Sequence, residues 1–66
     1  MAILKVIELL AESDKNWEDA TASGIEKASK SIKGIRSAFV QNQSVTVKNG
    51  EVDKYRVNLK ITFEVD

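Results

Sequence analysis

The chain of 66 residues contains no cysteine, no histidine and no proline. Without cysteine it can form neither disulfides nor thiolate metal sites. Without histidine it lacks the commonest transition-metal ligand and the commonest general base. One domain of this size, residues 1–66, buries only about 60% of the surface that its unfolded chain exposes. We therefore expect oligomerisation to stabilise it, with a hard cation bound by oxygen atoms as a further candidate.

An excess of either charge is also missing, because ten basic and ten acidic residues cancel. A neutral chain without a basic block argues against a nucleic-acid partner. No segment approaches the roughly 18 consecutive apolar residues of a membrane span. The opening "MAILKVIELL" is interrupted by Lys5 and Glu8 and is not followed by a processing site, unlike a signal sequence. The composition predicts a soluble protein of the cytoplasm.

Residues 2–10, "AILKVIELL", form a short apolar run that predicts a strand. Both faces of that strand are mostly apolar, whereas a strand with one wet face should alternate. We therefore expect something other than the chain's own helix to cover the second face.

A helix is predicted over about 17–33, with Asn16 as its N-cap and acidic residues in its first turn. Ala20, Gly24 and Ala28 are small and spaced by four, which would let the helix lie close on a sheet. Gly34 is predicted to be the C′ glycine that ends the helix.

Residues 35–48 and 51–65 are predicted strands, joined by the type I′ turn that "NG" at 49 and 50 favours. The fold class is therefore α+β, with the order β-α-β-β and a three-stranded antiparallel sheet. A 17-residue helix spans about 25 Å and a 15-residue strand about 50 Å, so one helix cannot cover the sheet. The overhang must curl round the helix or be covered by another subunit, and this mismatch is our argument for a homo-oligomer.

The turn also predicts the register, since Lys48 opposite Glu51 makes paired residue numbers sum to 99. Leu59 would then face Val40, Ile61 would face Ala38, and Val57 would face Asn42. The side away from the helix would carry Ser37, Phe39, Gln41, Gln43, Arg56, Asn58, Lys60 and Thr62. A bulge would shift this assignment.

No nucleophile elbow, histidine or cysteine dyad or phosphate-binding glycine loop is present, so we predict that the chain is not an enzyme. Glu18 and Asp19 are interpreted as helix-capping residues. The acidic stretch "ESDKNWED" offers oxygens to a cation but lacks the EF-hand spacing. Trp17 is interpreted as a core or interface anchor.

The whole chain resembles the dodecin family. The matching stretches are "KVIELLAES", "NWEDA", "EKASKSIKGIR", "NG" and "YRVNLKITFEV". The resemblance implies a β-α-β-β fold with the sheet wrapped round one helix, and assembly into a hollow homododecamer.

Many dodecins bind flavins (FMN, riboflavin or FAD) between subunits, stacking the ring on a tryptophan and hydrogen-bonding it with a glutamine. The matching positions here are Ser37 in "IRSAFV" and Arg56 in "YRVNL". Serine has no stacking face, and arginine only donates hydrogen bonds. In the predicted register Arg56 lies near Gln43, six residues or about 20 Å from Ser37 along one strand. A site that uses both positions would draw them from different subunits or from a curled sheet.

A second dodecin subgroup resembles this chain in having "YR" and lacking the tryptophan, and it is associated with calcium. The resemblance therefore implies a non-enzymatic homododecamer that binds or stores a small ligand or cation, calcium ahead of a flavin. The metal-binding residues stay open among the carboxylates Glu12, Asp14, Glu18, Asp19, Glu51, Asp53 and Glu64. Alternatives are a divergent flavin site, with Phe39 or another ring replacing the tryptophan, and a structural shell without a ligand.

Overall fold

The computed structural model describes residues 2–65, so the ends of the predicted 1–66 domain, residues 1 and 66, lie outside it. Its elements are β1 (Ile3–Ser13), α1 (Trp17–Ala28), β2 (Ile35–Lys48) and β3 (Glu51–Val65). Both partners of β3 run antiparallel to it, in the order β1-β3-β2. The predicted α+β class and β-α-β-β order are confirmed.

The centre of the sheet carries the core. Val57, Leu59 and Ile61 of β3 are fully buried, as is Ala20 of α1. Their alternation places them on one side of β3, and the helix packs there. The side chains between them point to the side of the sheet away from the helix.

Strand β1 continues three residues beyond its predicted end. Ala11, Glu12 and Ser13 pair with residues 55–57 of β3. Pairing with β3 therefore outweighs the polar character that marked this segment as a break.

The predicted start of the helix is confirmed. The Asn16 side chain accepts a hydrogen bond of 2.6 Å from the backbone N–H of Asp19, which is the capping interaction expected of an asparagine at that position. Trp17, the first helical residue, donates from Nε1 to the carbonyl of Ser44 over 3.0 Å. Its ring meets Tyr55 edge to face, with centroids 5.2 Å apart. Trp17 thus ties the start of the helix to the sheet.

The predicted end of the helix at about Lys33 is wrong, because α1 ends at Ala28. The Ser29 hydroxyl and its N–H both bond the Ile25 carbonyl, and the next two bonds, Lys30 to Lys27 and Ser31 to Ala28, are three residues apart. A serine hydroxyl that competes for helical carbonyls favours such an ending.

Gly34 is consequently not the C′ residue of the helix. It does have a positive φ of 75°, but it makes the turn into β2, and its carbonyl accepts the Glu64 N–H over 3.0 Å. A Cβ at this position would lie 3.3 Å from the Glu64 carbonyl oxygen. The glycine is needed for entry into the sheet.

The hairpin turn is confirmed, with positive φ at Asn49 and Gly50 and Lys48 opposite Glu51. The predicted pairs of Leu59 with Val40 and Ile61 with Ala38 are also confirmed. Between the hairpin turn and these pairs the register differs from the predicted one, because one irregularity lies between Thr46 and Val47 and another between Val40 and Asn42. These two offsets cancel, so the pairs from Thr46 to Asn42 are displaced by one residue and the predicted register returns at Val40. A third irregularity, between Ser37 and Ile35, shifts the register again.

The predicted pair of Val57 with Asn42 is therefore wrong, since Val57 faces Gln43. Directly opposed residues share a face of the sheet. Gln43 consequently lies on the helix side, and Asn42 takes the place predicted for it on the other side.

Candidate functional site

The site residues predicted from the sequence lie on the side of the sheet away from the helix, which we call the outer face. It comprises Leu4, Val6, Glu8, Leu10 and Glu12 of β1, Arg56, Asn58, Lys60, Thr62 and Glu64 of β3, and Ser37, Phe39, Asn42 and Ser44 of β2. The β3 members alternate along the strand with the buried Val57, Leu59 and Ile61. The β1 and β2 members lie directly opposite these β3 members and therefore share their face. The strands thus present a continuous, largely exposed surface.

Ser37 and Arg56 do lie on the same face, but one chain does not bring them together. Ser37 faces Thr62, and Arg56 faces Ser44, the residue next to the Gln43 near which it was predicted. Seven residues of β2 therefore separate the two rows, or about 23 Å at the rise of a strand. A ligand that contacts both positions at once would have to take them from different chains.

Arg56 is engaged by an acidic residue. It lies directly opposite Glu12 of β1, and its Nε donates to Oε2 of that carboxylate over 3.2 Å. The two side chains are 39% and 41% exposed. The pair neutralises the guanidinium within the chain.

The outer face shows a regular arrangement of charge between β1 and β3. Glu12 faces Arg56, and Glu8 faces Lys60 one repeat further along. Towards the other end of the face, Arg36 pairs with Glu64. The acids of the first two rows are all on β1 and the bases all on β3.

Apolar side chains are exposed between these charges. Leu4, Val6 and Leu10 of β1 are 54%, 56% and 54% exposed, and Phe39 of β2 is 65% exposed. We expect something beyond the helix to cover the second face of the first strand, and among residues 2–65 of the single chain nothing covers it. An exposed patch of this kind is typical of an interaction surface.

The outer face lacks the groups that the resemblance associates with flavin binding. Ser37 offers no ring, and the donor-only Arg56 is already paired with Glu12. Phe39, two residues from Ser37 and also on the outer face, is the aromatic ring that this part of β2 provides. The residues present therefore do not reproduce a tryptophan–glutamine flavin site.

The carboxylates are spread over the molecule. A depression of about 420 Å³ between the end of β1 and α1 is lined by Glu12, Ser13, Asp14, Asp19, Ser23, Glu26, Lys27 and Lys54. Asp19 accepts the Ser13 hydroxyl over 2.7 Å, which occupies one of its oxygens. Within residues 2–65, no three acidic side chains are grouped closely enough to hold a metal ion. The acidic side chains of these residues therefore do not by themselves provide the six to eight oxygens that calcium prefers.

Sequence reasoning recognised Glu12 only as one of several carboxylates and missed its pairing with Arg56. The signal was present in the alternation of β1, in which Glu12 continues the series of Leu4, Glu8 and Leu10. Recognising the pair also required the order of the strands, which places β1 beside β3.

In the described part of the chain, no helix has the length and apolar character of a membrane span.

Comparisons with known proteins agree on one family. The family model described as Dodecin matches residues 3–66. The chain is 32% identical over 65 residues to a protein of Mycobacterium tuberculosis (strain ATCC 25618 / H37Rv) named calcium dodecin, covering 98% of this chain and 92% of the relative.

Solved structures give the same result. The crystal structure of the Mycobacterium tuberculosis calcium dodecin, described as a calcium-chelating antigen with a novel calcium-binding site, matches with a TM-score of 0.85 and 32% identity, covering 97% of this chain and 91% of that one. A dodecin from Streptomyces davaonensis matches with a TM-score of 0.94 at 20% identity, covering 98% and 96%. At that identity the second likeness concerns the fold alone.

Proposed function

This chain belongs to the dodecin family, and from that premise we propose that it is a non-enzymatic homododecamer that binds or stores a small ligand or cation, with calcium as the preferred candidate. Storage by sequestration needs no catalytic group, only sites inside or between subunits. The expected location, the cytoplasm, stays a prediction that cell fractionation tests.

Assembly is supported by what the single chain leaves uncovered. The helix has 12 residues, so it spans about 18 Å, whereas the 15 residues of β3 extend over about 50 Å. The chain measures 50 × 20 × 14 Å, which is elongated for 66 residues. Valines at the hairpin end are exposed as well, Val47 by 66% and Val52 by 50%. Other subunits would cover these surfaces.

One observation carries the preference for calcium: the likeness to the calcium dodecin, in sequence and in structure, extends over nearly the whole chain. The divergence of Ser37 and Arg56 from the flavin pattern points the same way. Since no three acids are grouped within residues 2–65, a calcium ion would be shared between chains. The carboxylates that would coordinate it are not assigned.

Calcium binding is tested by isothermal titration of the chelator-treated protein with calcium, and with magnesium as the matched control. We expect heat with calcium, and a melting temperature that falls when EGTA is added and recovers with excess calcium. Native mass spectrometry at micromolar concentration should show twelve chains. A monomer would contradict the proposed assembly. An assembly whose melting temperature changes with neither EGTA nor calcium would contradict the proposed calcium binding.

The second candidate is a flavin-binding dodecin with a divergent site. It is favoured by one observation, the 65% exposed ring of Phe39 on the outer face near Ser37. Quenching of riboflavin fluorescence by the wild type, lost in Phe39→Leu and retained in Phe63→Leu, would establish it. If neither calcium nor riboflavin binds the intact assembly, the third candidate, a structural shell without a ligand, is supported.

A further inference from the structure

The charges of the outer face divide by strand. Glu8 and Glu12 project from β1, while Lys60 and Arg56 project from the same rows of β3. Neighbouring strands are about 4.8 Å apart, so an acidic column and a basic column run side by side. A surface with two parallel columns of opposite charge can be complementary to itself.

The Glu12–Arg56 row and the Glu8–Lys60 row differ in whether their charges form an ion pair within the chain. Arg56 and Glu12 form an ion pair within the chain. Glu8 and Lys60 are both exposed and, among residues 2–65, neither takes part in an ion pair, although they lie directly opposite each other. The Glu8–Lys60 row is therefore available to charges from outside the chain.

Apolar side chains flank this row. Val6 and Leu10 precede and follow Glu8 on the outer face of β1, and each is more than half exposed. Covering them would be favourable at about 25 cal/mol per Å². An apolar border around two charges without an ion-pair partner is a surface that a protein with matching charges would fit.

We propose that the outer face docks against the outer face of a second copy about a two-fold axis that lies between β1 and β3 and parallel to them. Glu8 of each chain then lies opposite Lys60 of the other. The inference rests on the proposed assembly and adds to it the surface and the pairing through which two chains meet.

The choice of axis follows from the charges. Rotation about an axis parallel to the strands leaves the position along a strand unchanged and exchanges the two columns, so that each acid meets a base. An axis centred on β3 would instead set Lys60 against its own copy. Like charges placed opposite each other cost several kcal/mol and exclude that arrangement.

The same rotation covers the apolar residues. Val6 and Leu10 of one chain would lie over the row partners Thr62 and Asn58 of the other, beside the aliphatic stem of Lys60. Two sheets stacked face to face in nearly parallel orientation are a common packing mode. Opposite charges would fix the register, and the covered leucine and valine would supply affinity.

The test uses two charge-reversed chains, Glu8→Lys and Lys60→Glu. In the first, both residues of the row are positive, and in the second both are negative. Each variant should repel its own copy at the two-fold axis, and we expect its assembly to weaken by about tenfold or more in chain concentration. Mixed by co-expression, the two should attract, and native mass spectrometry should show assemblies that contain both masses.

Co-expression of the two variants distinguishes the proposed contact of Glu8 with Lys60 of another chain from an interaction of these residues within one chain. If Glu8 and Lys60 acted only within a chain, each variant would carry its defect into the mixture and no rescue would occur. Glu26→Lys and Lys30→Glu, on the exposed helix side, change the net charge equally and serve as controls that should assemble alone. The neutral pair Glu8→Gln and Lys60→Gln should weaken assembly without abolishing it.

The outcomes are decisive. Variants that fail alone and co-assemble support the proposal, even if each alone does not fold, since folding is then recovered by the mixture. Variants that assemble alone like the wild type, or that co-expression does not rescue, overturn this pairing and leave the proposed assembly intact. A wild type that is monomeric at micromolar concentration overturns both.

Discussion

Glu12 of β1 and Arg56 of β3 lie directly opposite each other, joined by a hydrogen bond of 3.2 Å from the guanidinium Nε to the carboxylate. The position that the resemblance matches to the flavin-binding glutamine is thereby held by an ion pair. Both partners come from regular strands, so their opposition is fixed by the sheet register.

The first prediction concerns this pair. Glu12→Gln leaves Arg56 without its partner, and in an assembly that covers the outer face this should lower the free energy of unfolding by about 3 kcal/mol. Adding Arg56→Gln should recover most of the loss, because no charge is then left unpaired. Urea unfolding at one fixed chain concentration measures both values.

In the single chain the two side chains are roughly 40% exposed, and a pair that stays so exposed contributes little to stability. A loss of less than about 1 kcal/mol for Glu12→Gln would show that the pair remains in contact with solvent. That result would contradict a covered outer face. Glu26→Gln, on the exposed side of the helix, is the matched control and should change the free energy little.

The second prediction concerns the flavin positions. The double variant Ser37→Trp with Arg56→Gln restores a stacking ring and a side chain that both donates and accepts hydrogen bonds. We expect it to bind riboflavin at least about tenfold more tightly than the wild type, as measured by quenching of flavin fluorescence. Riboflavin is used because it has no phosphate for the released Glu12 to repel.

Ser37→Ala with Arg56→Gln is the control, since it makes the same change at position 56 without adding a ring. Equal affinities of the two double variants would show that position 37 does not face a flavin. That outcome would show that Ser37 and Arg56, the two positions matched to the family's flavin site, do not form a flavin site together in this protein.

The third prediction concerns the contact between helix and sheet. A Cβ at Gly24 would lie 2.8 Å from the Cβ of Ala11, closer than such atoms approach. Gly24→Ala should therefore lower the free energy of unfolding by about 1–2 kcal/mol, although alanine favours a helix by about 1 kcal/mol over glycine. Thermal unfolding followed by circular dichroism measures the change.

Ala11→Gly combined with Gly24→Ala is the informative control, because it removes the atom that the new methyl group meets. The double variant should be more stable than Gly24→Ala alone. A stabilised single variant would show that the helix can move away from β1 without cost.

The fourth prediction compares two glycines with nearly the same backbone conformation. Gly34 and Gly50 have φ values of 75° and 77°, but a Cβ at Gly34 would lie 3.3 Å from the Glu64 carbonyl oxygen, whereas a Cβ at Gly50 would have no neighbour within 4 Å. Both alanine variants should lose about 1 kcal/mol to the left-handed conformation. Gly34→Ala should lose about 1 kcal/mol more, because the oxygen belongs to the backbone of β3.

Equal losses for the two variants, measured by urea unfolding, would mean that the Gly34 turn shifts away from β3. In that event the hydrogen bond from the Glu64 N–H to the Gly34 carbonyl should weaken as well. Hydrogen exchange at the Glu64 amide would show this as reduced protection.

The most local signals were predicted correctly from the sequence. Asn16 caps the helix and "NG" turns the hairpin because each effect needs only a few neighbouring residues. The spacing of Ala20, Gly24 and Ala28 also predicted a close approach, which the contact of Gly24 with Ala11 bears out. The end of the helix failed, since the serines at 29 and 31 allow a helix but favour competing turns.

The candidate site was predicted only in part. Strand alternation sufficed to put Ser37 and Arg56 on one face. It could not show the irregularities after Val40 and Thr46, because a bulge adds a residue without a distinctive sequence pattern. Those irregularities moved Gln43 to the helix side and brought Ser44 opposite Arg56.

The sequence by itself determined the order of the elements, the alternation of β3 and the absence of cysteine and histidine, because these depend on residue type and short-range spacing. Only the tertiary structure decided that β3 lies between its two partners, which places Glu12 beside Arg56 and Glu8 beside Lys60. These residues are more than 40 positions apart in the chain. Their proximity depends on which strand edges pair over long distances, and alternation within a strand is the same for every order of strands.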